Sequence, residues 1–396
     1  MIVVSLTMHV DGQILCRVLE EAMNRFPQMN LRLVEDGDSL VFSPAVIPPE
    51  VFREGIDVPE SFADERLAGS LMCVSVCHKT IYFRYHRALA DEHGILSFIK
   101  AVIMRYLETC GLATENDGTV KLLSGSYFKA EGEDPMGKLD DIPASRPVWY
   151  MDAKAFVPEI SRDDIDTVIQ IRVPLPKNDR LQEDNLSRIP VTYIAPLFSH
   201  ALYEVTGNGM ESGEYIVAGI NINLRPYFPT ASMRPFHTPV YLAYNRKIGE
   251  YPYQTVLMSQ KKLLEAQLKT DALAYSAKRK IADVEKACNG TLEQKRHAFR
   301  TLGEKMNAMS TYTVSRIGNL ILPEKMQRYV TELYPVLPSS GQTCAMTIVN
   351  FRGEMFITVS GGEVLEKVCG RFIELMHENG IVSFIADKYS FRPVRL

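Results

Sequence analysis

The sequence predicts a mixed α/β (α+β) protein of two lobes. Three observations carry this. Strand-period and helix-period segments alternate through the first hundred residues, a second such series runs from 166 to 385, and between them residues 111–164 have poor periodicity and frequent Gly, Asp, Glu and Pro. At 396 residues the chain has room for two compact units of roughly 100–200 residues each. Apolar residues make up 46% and charged residues 23%, a globular balance that fills cores without disulfides or structural metals.

Residues 2–10 (IVVSLTMHV) are β-branched and strand-like, and Asp11-Gly12 ends them and can cap the next element. Residues 13–26 set Ile14, Val18, Ala22 and Met23 on one helical stripe, and Pro27 ends the run. Short strands at 30–34 and 39–42 meet at Asp36-Gly37. Residues 71–86 (LMCVSVCHKTIYFRYH) read as a hairpin turning at His78-Lys79, and 92–109 as a helix with a wide apolar face of Ile95, Phe98, Ile99, Val102, Ile103 and Tyr106. In the linker-like stretch, Trp149 is the sole tryptophan, and its segment is expected to be tied down against a lobe. The second series begins with alternation over 166–174 and a helix over 191–206 despite Pro196. Strands are predicted at 214–222, 237–244, 311–316, 343–349 and 353–359, with a long polar helical region, 253–309, broken near Asn289-Gly290. A helix over 363–378 and a short strand near 381–385 close the series.

The bulk properties exclude several classes. A net charge of −4 gives no reason to expect nucleic acid. No uncharged apolar run approaches the ~20 residues of a membrane span, and the first residues lack the basic start and cleavage site of a signal peptide. Seven scattered cysteines show no zinc spacing, and Cys73 and Cys77 share one strand face as small core residues, so a reduced, cytoplasmic protein is expected. No P-loop, GxSxG or dinucleotide fingerprint is present. His200 and His237 have no spacing partner and read as core or surface residues. Lys278-Arg279-Lys280 reads either as a contact for phosphates or an acidic partner protein, or as a solvated helix face, and charge patterning favours the latter.

The most informative segment is YFRYHRALADEHGILSFIKAVIMRYL, 82–107, in which a strand delivers His86-Arg87 to a loop and Asp91 precedes a helix. It resembles the HHxxxDG element of the CoA-dependent acyltransferase superfamily, which includes chloramphenicol acetyltransferase, stand-alone bacterial alcohol acetyltransferases and condensation domains of peptide synthetases. GININLRPYFPTASMRPF (219–236) is similar to the NLRxFFPSxxxRNF segment of the stand-alone bacterial members, and TYTVSRIGNLILPEKMQRYV (311–330) to their SNxGxxxLP element. The early helix ending in Asn24-Arg25-Phe26-Pro27 is also similar. The resemblance implies two chloramphenicol-acetyltransferase-like lobes forming a V with a tunnel between them: 1–115 with the HRALADE motif, a linker at 116–164, and 165–396. It further implies acyl transfer to a small alcohol or amine acceptor, with no permanently bound cofactor and with acyl-CoA or a carrier-bound thioester as donor. An acyl or peptidyl carrier protein, or a recruited enzyme, is the implied partner. Asp91 is then a structural residue paired with Arg225 of Asn223-Leu224-Arg225.

The motif departs from the family pattern at two places. Arg87 occupies the general-base position, and a guanidinium with a pKa above ~12 cannot act as a base, although it can stabilise an oxyanion. Glu92 occupies the glycine position and adds a charge. If 81–87 is extended, His86 faces away from Arg87, which favours a structural histidine and leaves His86 as base the lesser alternative. Arg87 and Asp91, four apart, offer a local pair. His93, in the first helical turn, is either near the tunnel mouth or, on the simpler reading, solvent-facing, while Ser315 and Arg316 stand where relatives have Ser-Asn near the tunnel. Two functions fit: an acyltransferase with His86 or a substrate group as base, or a catalytically silent condensation-like module that binds a partner or ligand, as other domains with an HR…D pattern do.

Overall fold

The computed structural model describes residues 1–45, 49–147, 154–158, 165–175 and 191–394; Trp149 lies outside them. The first lobe opens with β1 (Ile2–Leu6), α1 (Gly12–Arg25), β2 (Leu31–Asp36), β3 (Ser39–Pro44) and β4 (Val51–Arg53). The hairpin β5 (Met72–Cys77) and β6 (Thr80–Tyr85) and the helix α2 (Glu92–Thr109) come next. Next come β7 (Lys154–Ala155), β8 (Asp166–Pro174), α3 (Val191–Thr206), β9 (Glu214–Asn223), β10 (His237–Tyr244) and α4 (Arg246–Gly249). Beyond them lie α5 (Tyr253–Gln267), α6 (Thr270–Ala287), α7 (Leu292–Asn307), β11 (Tyr312–Asn319), α8 (Glu324–Gln327) and β12 (Val330–Pro335). The last elements are β13 (Cys344–Phe351), β14 (Glu354–Gly361), α9 (Leu365–Glu378) and β15 (Phe384–Phe391).

Local chemistry explains most boundaries. Asp11 caps α1 by accepting from the amides of Gln13 and Ile14, and its own amide donates to the Tyr106 hydroxyl of α2 at 2.7 Å. The buried stripe of α1 is Leu15, Val18, Leu19, Ala22 and Met23, so it is centred beside Ile14 rather than on it. His78 takes a left-handed φ of 51° at the tip of the β5–β6 hairpin. Every residue of the apolar face expected for α2 is buried, and Phe98 meets Phe26 edge to face at 5.8 Å.

The first sheet has the order β12-β1-β6-β5-β4, and the second runs β10-β9-β11-β13-β14-β8-β15 with β7 added beside β9. Strands β4 and β12 of the first were not expected, and β12 comes from furthest along the chain. It pairs antiparallel with β1, Ile2 opposite Pro335, so the chain crosses back from the second series to complete the first sheet. Val330, Leu333 and Tyr334 are buried there, joined by Leu322 and Met326. The long helical region breaks twice rather than once. The extra break comes after Gln267, whose amide group accepts from Tyr241 N and donates to Tyr241 O, docking the end of α5 on the edge strand β10. Gln260, earlier on the same helix, donates to Ala243 O, so α5 supplies partners to backbone that an edge would leave bare. Strand β15 runs further than the alternation suggested, because Asp387 and Lys388 are polar residues on an exposed edge beside a register shift at Ile385–Asp387.

Glu131 ties its segment to α1 and to the stretch before β10. Glu131 forms a buried ion pair with Arg25 at 2.8 Å and accepts from Lys121 at 2.6 Å, while its carbonyl takes the Met233 amide at 2.8 Å. No helix among the described residues is long and apolar enough to cross a membrane.

Candidate functional site

Strand β6 ends at Tyr85, two residues earlier than an extended 81–87 requires, and the chain turns over 87–89 with Leu89 N donating to His86 O. Strand alternation therefore does not govern His86 and Arg87. His86 is half-buried, its ring edge-on to Phe62 at 6.1 Å, and its Nδ1 accepts from the Ala88 amide at 3.2 Å. Burial, and then the neighbouring Arg87 charge, lower its pKa. One ring nitrogen is thus committed to holding the turn.

Asp91 is the most fully satisfied polar group of the motif. It caps α2 by accepting from Gly94 N at 2.8 Å, and its second oxygen accepts from Arg225 Nη1 and Phe236 N, both at 2.8 Å. Arg225 spends its remaining donors on Ser232 O and Arg234 O, while Asn223 Oδ1 accepts from Arg225 N and Nη1. The ion pair is 2% exposed on the Asp91 side, and it fastens the first turn of α2 to the 223–236 segment of the other lobe. Close approach needs Gly94 as well: a Cβ there would sit 2.8 Å from the Met233 carbonyl carbon and overlap its oxygen. Alanine normally stabilises a helical glycine site by up to ~1 kcal/mol, but here the obstacle is backbone, so the sign reverses. Gly94→Ala is expected to lower stability by about 1–3 kcal/mol or more in urea unfolding.

The local Arg87–Asp91 pair does not form. Arg87, half-exposed, instead lies 3.9 Å from the buried carboxylate of Glu92, and its Nη2 is 3.5 Å from His237 Nε2. His93 is not solvent-facing: the second lobe covers the start of α2, so the ring is half-buried against the Arg316 backbone, and burial lowers its pKa. Ser315 is buried in β11 between Asn221 and Thr347, and burial lowers the pKa of the adjacent Arg316.

His237, which the sequence reads as a core or surface residue, lies beside Arg87. It opens β10 as a half-buried residue whose Nδ1 is shut off from solvent and has no hydrogen-bond partner. Burial, then Lys280, Arg87, Arg225 and His93, drive its pKa well below 6.5, so the ring is neutral at pH 7. Because a guanidinium only donates, Nε2 is the acceptor toward Arg87. Lys280 arrives from α6. Ser276, one turn before it, donates to Pro239 O at 3.0 Å and accepts from Thr238 at 3.1 Å, which sets that helix face on the start of β10. Burial, then Arg87, lower the Lys280 pKa to about 8. Lys278 is taken up by Asp140 O and Ile142 O, so the basic triplet is not one solvated face. His200, by contrast, stacks on Tyr244 at 5.5 Å and lies 3.1 Å from Glu204, a structural role.

No family model and no curated protein matches this chain. Solved structures do. Polyketide synthase associated protein 5 from Mycobacterium tuberculosis is similar at 11% identity and TM-score 0.58, covering 96% of this chain and 94% of that one. TRI101 of F. sporotrichioides, complexed with coenzyme A and T-2, is similar at 11% identity and TM-score 0.55, covering 96% and 94%. The starter condensation domain of rhizomide synthetase RzmA is similar at 13% identity and TM-score 0.52, covering 96% and 89%. The fold is therefore the two-lobed α/β architecture that these structures share, a condensation domain and a protein solved with coenzyme A among them, as expected.

Proposed function

We propose that the chain transfers an acyl group from a CoA or carrier-bound thioester to a small alcohol or amine, at the place where the loop after β6 meets the start of β10. The observation that carries this is His237, a neutral imidazole 3.5 Å from the arginine that holds the general-base position. The acceptor hydroxyl or amine gives its proton to His237 Nε2 as it attacks the thioester carbonyl. Collapse of the tetrahedral intermediate breaks the carbon–sulfur bond, and the imidazolium returns the proton to the departing thiolate. Asp91, Arg225 and Asn223 hold the scaffold, and His86 holds the turn. Glu92, His93, Ser315 and Arg316 are assigned in this reading to the lining, and Arg87 stays cationic throughout. In this reading 1–115, completed by β12, and 165–396 are the two lobes, with 116–164 strapped between them.

A silent binding module is the second reading, favoured by Arg87 at the base position and by the commitment of His86 Nδ1 to Ala88. Thioester consumption with acetyl-CoA and a panel of small alcohols and amines separates the two. The transfer reading expects turnover above background by the native chain. Background turnover that rises only in Arg87→His assigns the chain to the silent class.

A further inference from the structure

We infer that Arg87 and Lys280 form an anion site beside His237 and that the acceptor carries a carboxylate. This rests on that place being a site of acyl transfer, and it names the acceptor's chemical class. Arg87 is held loosely, at 3.9 Å from Glu92 and 3.5 Å from His237, with half of its side chain exposed, so its fork is free to turn toward a ligand. Lys280 lies one turn beyond Ser276, which docks on Thr238 and Pro239 at the start of β10, and it is half-buried. The Glu92 carboxylate, 3.9 Å from Arg87, offsets one of the two cations, and the remaining positive charge matches a monoanion better than a phosphate dianion. Arg225 adds nothing to the surplus, because Asp91 neutralises it at 2.8 Å.

His237 supplies the independent observation. Its Nδ1 is enclosed and unpartnered, and its Nε2 faces the Arg87 fork. A carboxylate bound between Arg87 and Lys280 satisfies both cations with charge-assisted hydrogen bonds. It also draws the guanidinium off Nε2. That frees the imidazole lone pair for the acceptor's own hydroxyl, so the anion positions the acceptor and uncovers the base in one step.

Lactate and propylene glycol, which differ in a carboxylate against a hydroxymethyl group, are the probes. Calorimetric titration of the full chain without donor is expected to show lactate binding and none by propylene glycol, with lactate affinity weakened roughly tenfold or more in Lys280→Met and in Arg87→Gln. With acetyl-CoA as donor, the preference in kcat/KM for lactate over propylene glycol falls by a similar factor in both variants, while Lys280→Arg retains it, which separates loss of charge from loss of fold. Equal binding of the two probes, or a preference that no variant moves, overturns the anion site. Weakened affinity for coenzyme A in place of lactate also overturns it, by assigning the cations to donor phosphates. Lactate binding that depends on Lys280 without thioester consumption from any acceptor upholds the anion site and rejects acyl transfer.

Discussion

Arg225→Ala is expected to lower the stability of the chain by about 3–5 kcal/mol, because it strands a buried carboxylate. Asp91 is 2% exposed, and of its three donors only the amides of Gly94 and Phe236 would remain. The same change frees the carbonyls of Ser232 and Arg234, which Arg225 now binds. Arg225→Lys keeps the charge but cannot reach Asp91, Ser232, Arg234 and Asn223 at once, since an ammonium lacks the planar fork. It is expected to recover only part of the loss. Urea unfolding of Arg225→Ala, Asp91→Ala and the double variant checks the interpretation: the two single losses should sum to more than the loss in the double variant, as expected for one shared pair. Additive losses would show that the two residues act separately.

Much of this fold comes from periodicity alone. The β5–β6 hairpin, α2 and the alternating β8 are local patterns whose apolar faces repeat at 2.0 or 3.6 residues, and they form where the pattern predicts. The Asp91–Arg225 pairing was legible only through the resemblance, since the partners are 134 residues apart. Elements fixed by long-range contacts were not legible. Strand β12 exists because β1 offers it an edge, and the break after Gln267 because β10 offers that side chain backbone groups. The Arg87–Asp91 spacing misled for a physical reason. An i,i+4 pair meets only on a helix, and 87–90 is a turn and loop leading to the cap of α2. His93 misled in the opposite sense, because its helix turn is exposed within its own lobe and covered by the other. His237 carried one usable signal. It directly succeeds the RPF end of the 219–236 segment, whose Arg225 is clamped to the motif, so proximity to Arg87 was implied by that clamp.

His237→Ala is expected to lower kcat for acyl transfer by about 10²–10⁴-fold, the usual loss when a general base is removed. The magnitude turns on protonation. Burial comes first among the causes that depress its pKa, then Lys280, Arg87, Arg225 and His93, the charged and titratable groups facing the ring. A depressed imidazole keeps its lone pair as pH falls through the ordinary value of 6.5, so kcat/KM should hold level from neutral pH to well below that point. The stability effect runs the other way. Below 6.5 an unfolded chain takes up a proton that the folded one refuses, so acidification destabilises the fold through His237 until its own depressed pKa is passed. In His237→Ala that part of the acid sensitivity should vanish together with the activity, a joint result that a purely structural histidine would not give. His93→Ala and His86→Ala provide the comparison. His86 holds a turn through Ala88 and should leave the pH profile of kcat/KM in place, whereas a profile that shifts only in His93→Ala would move the base from β10 to the start of α2.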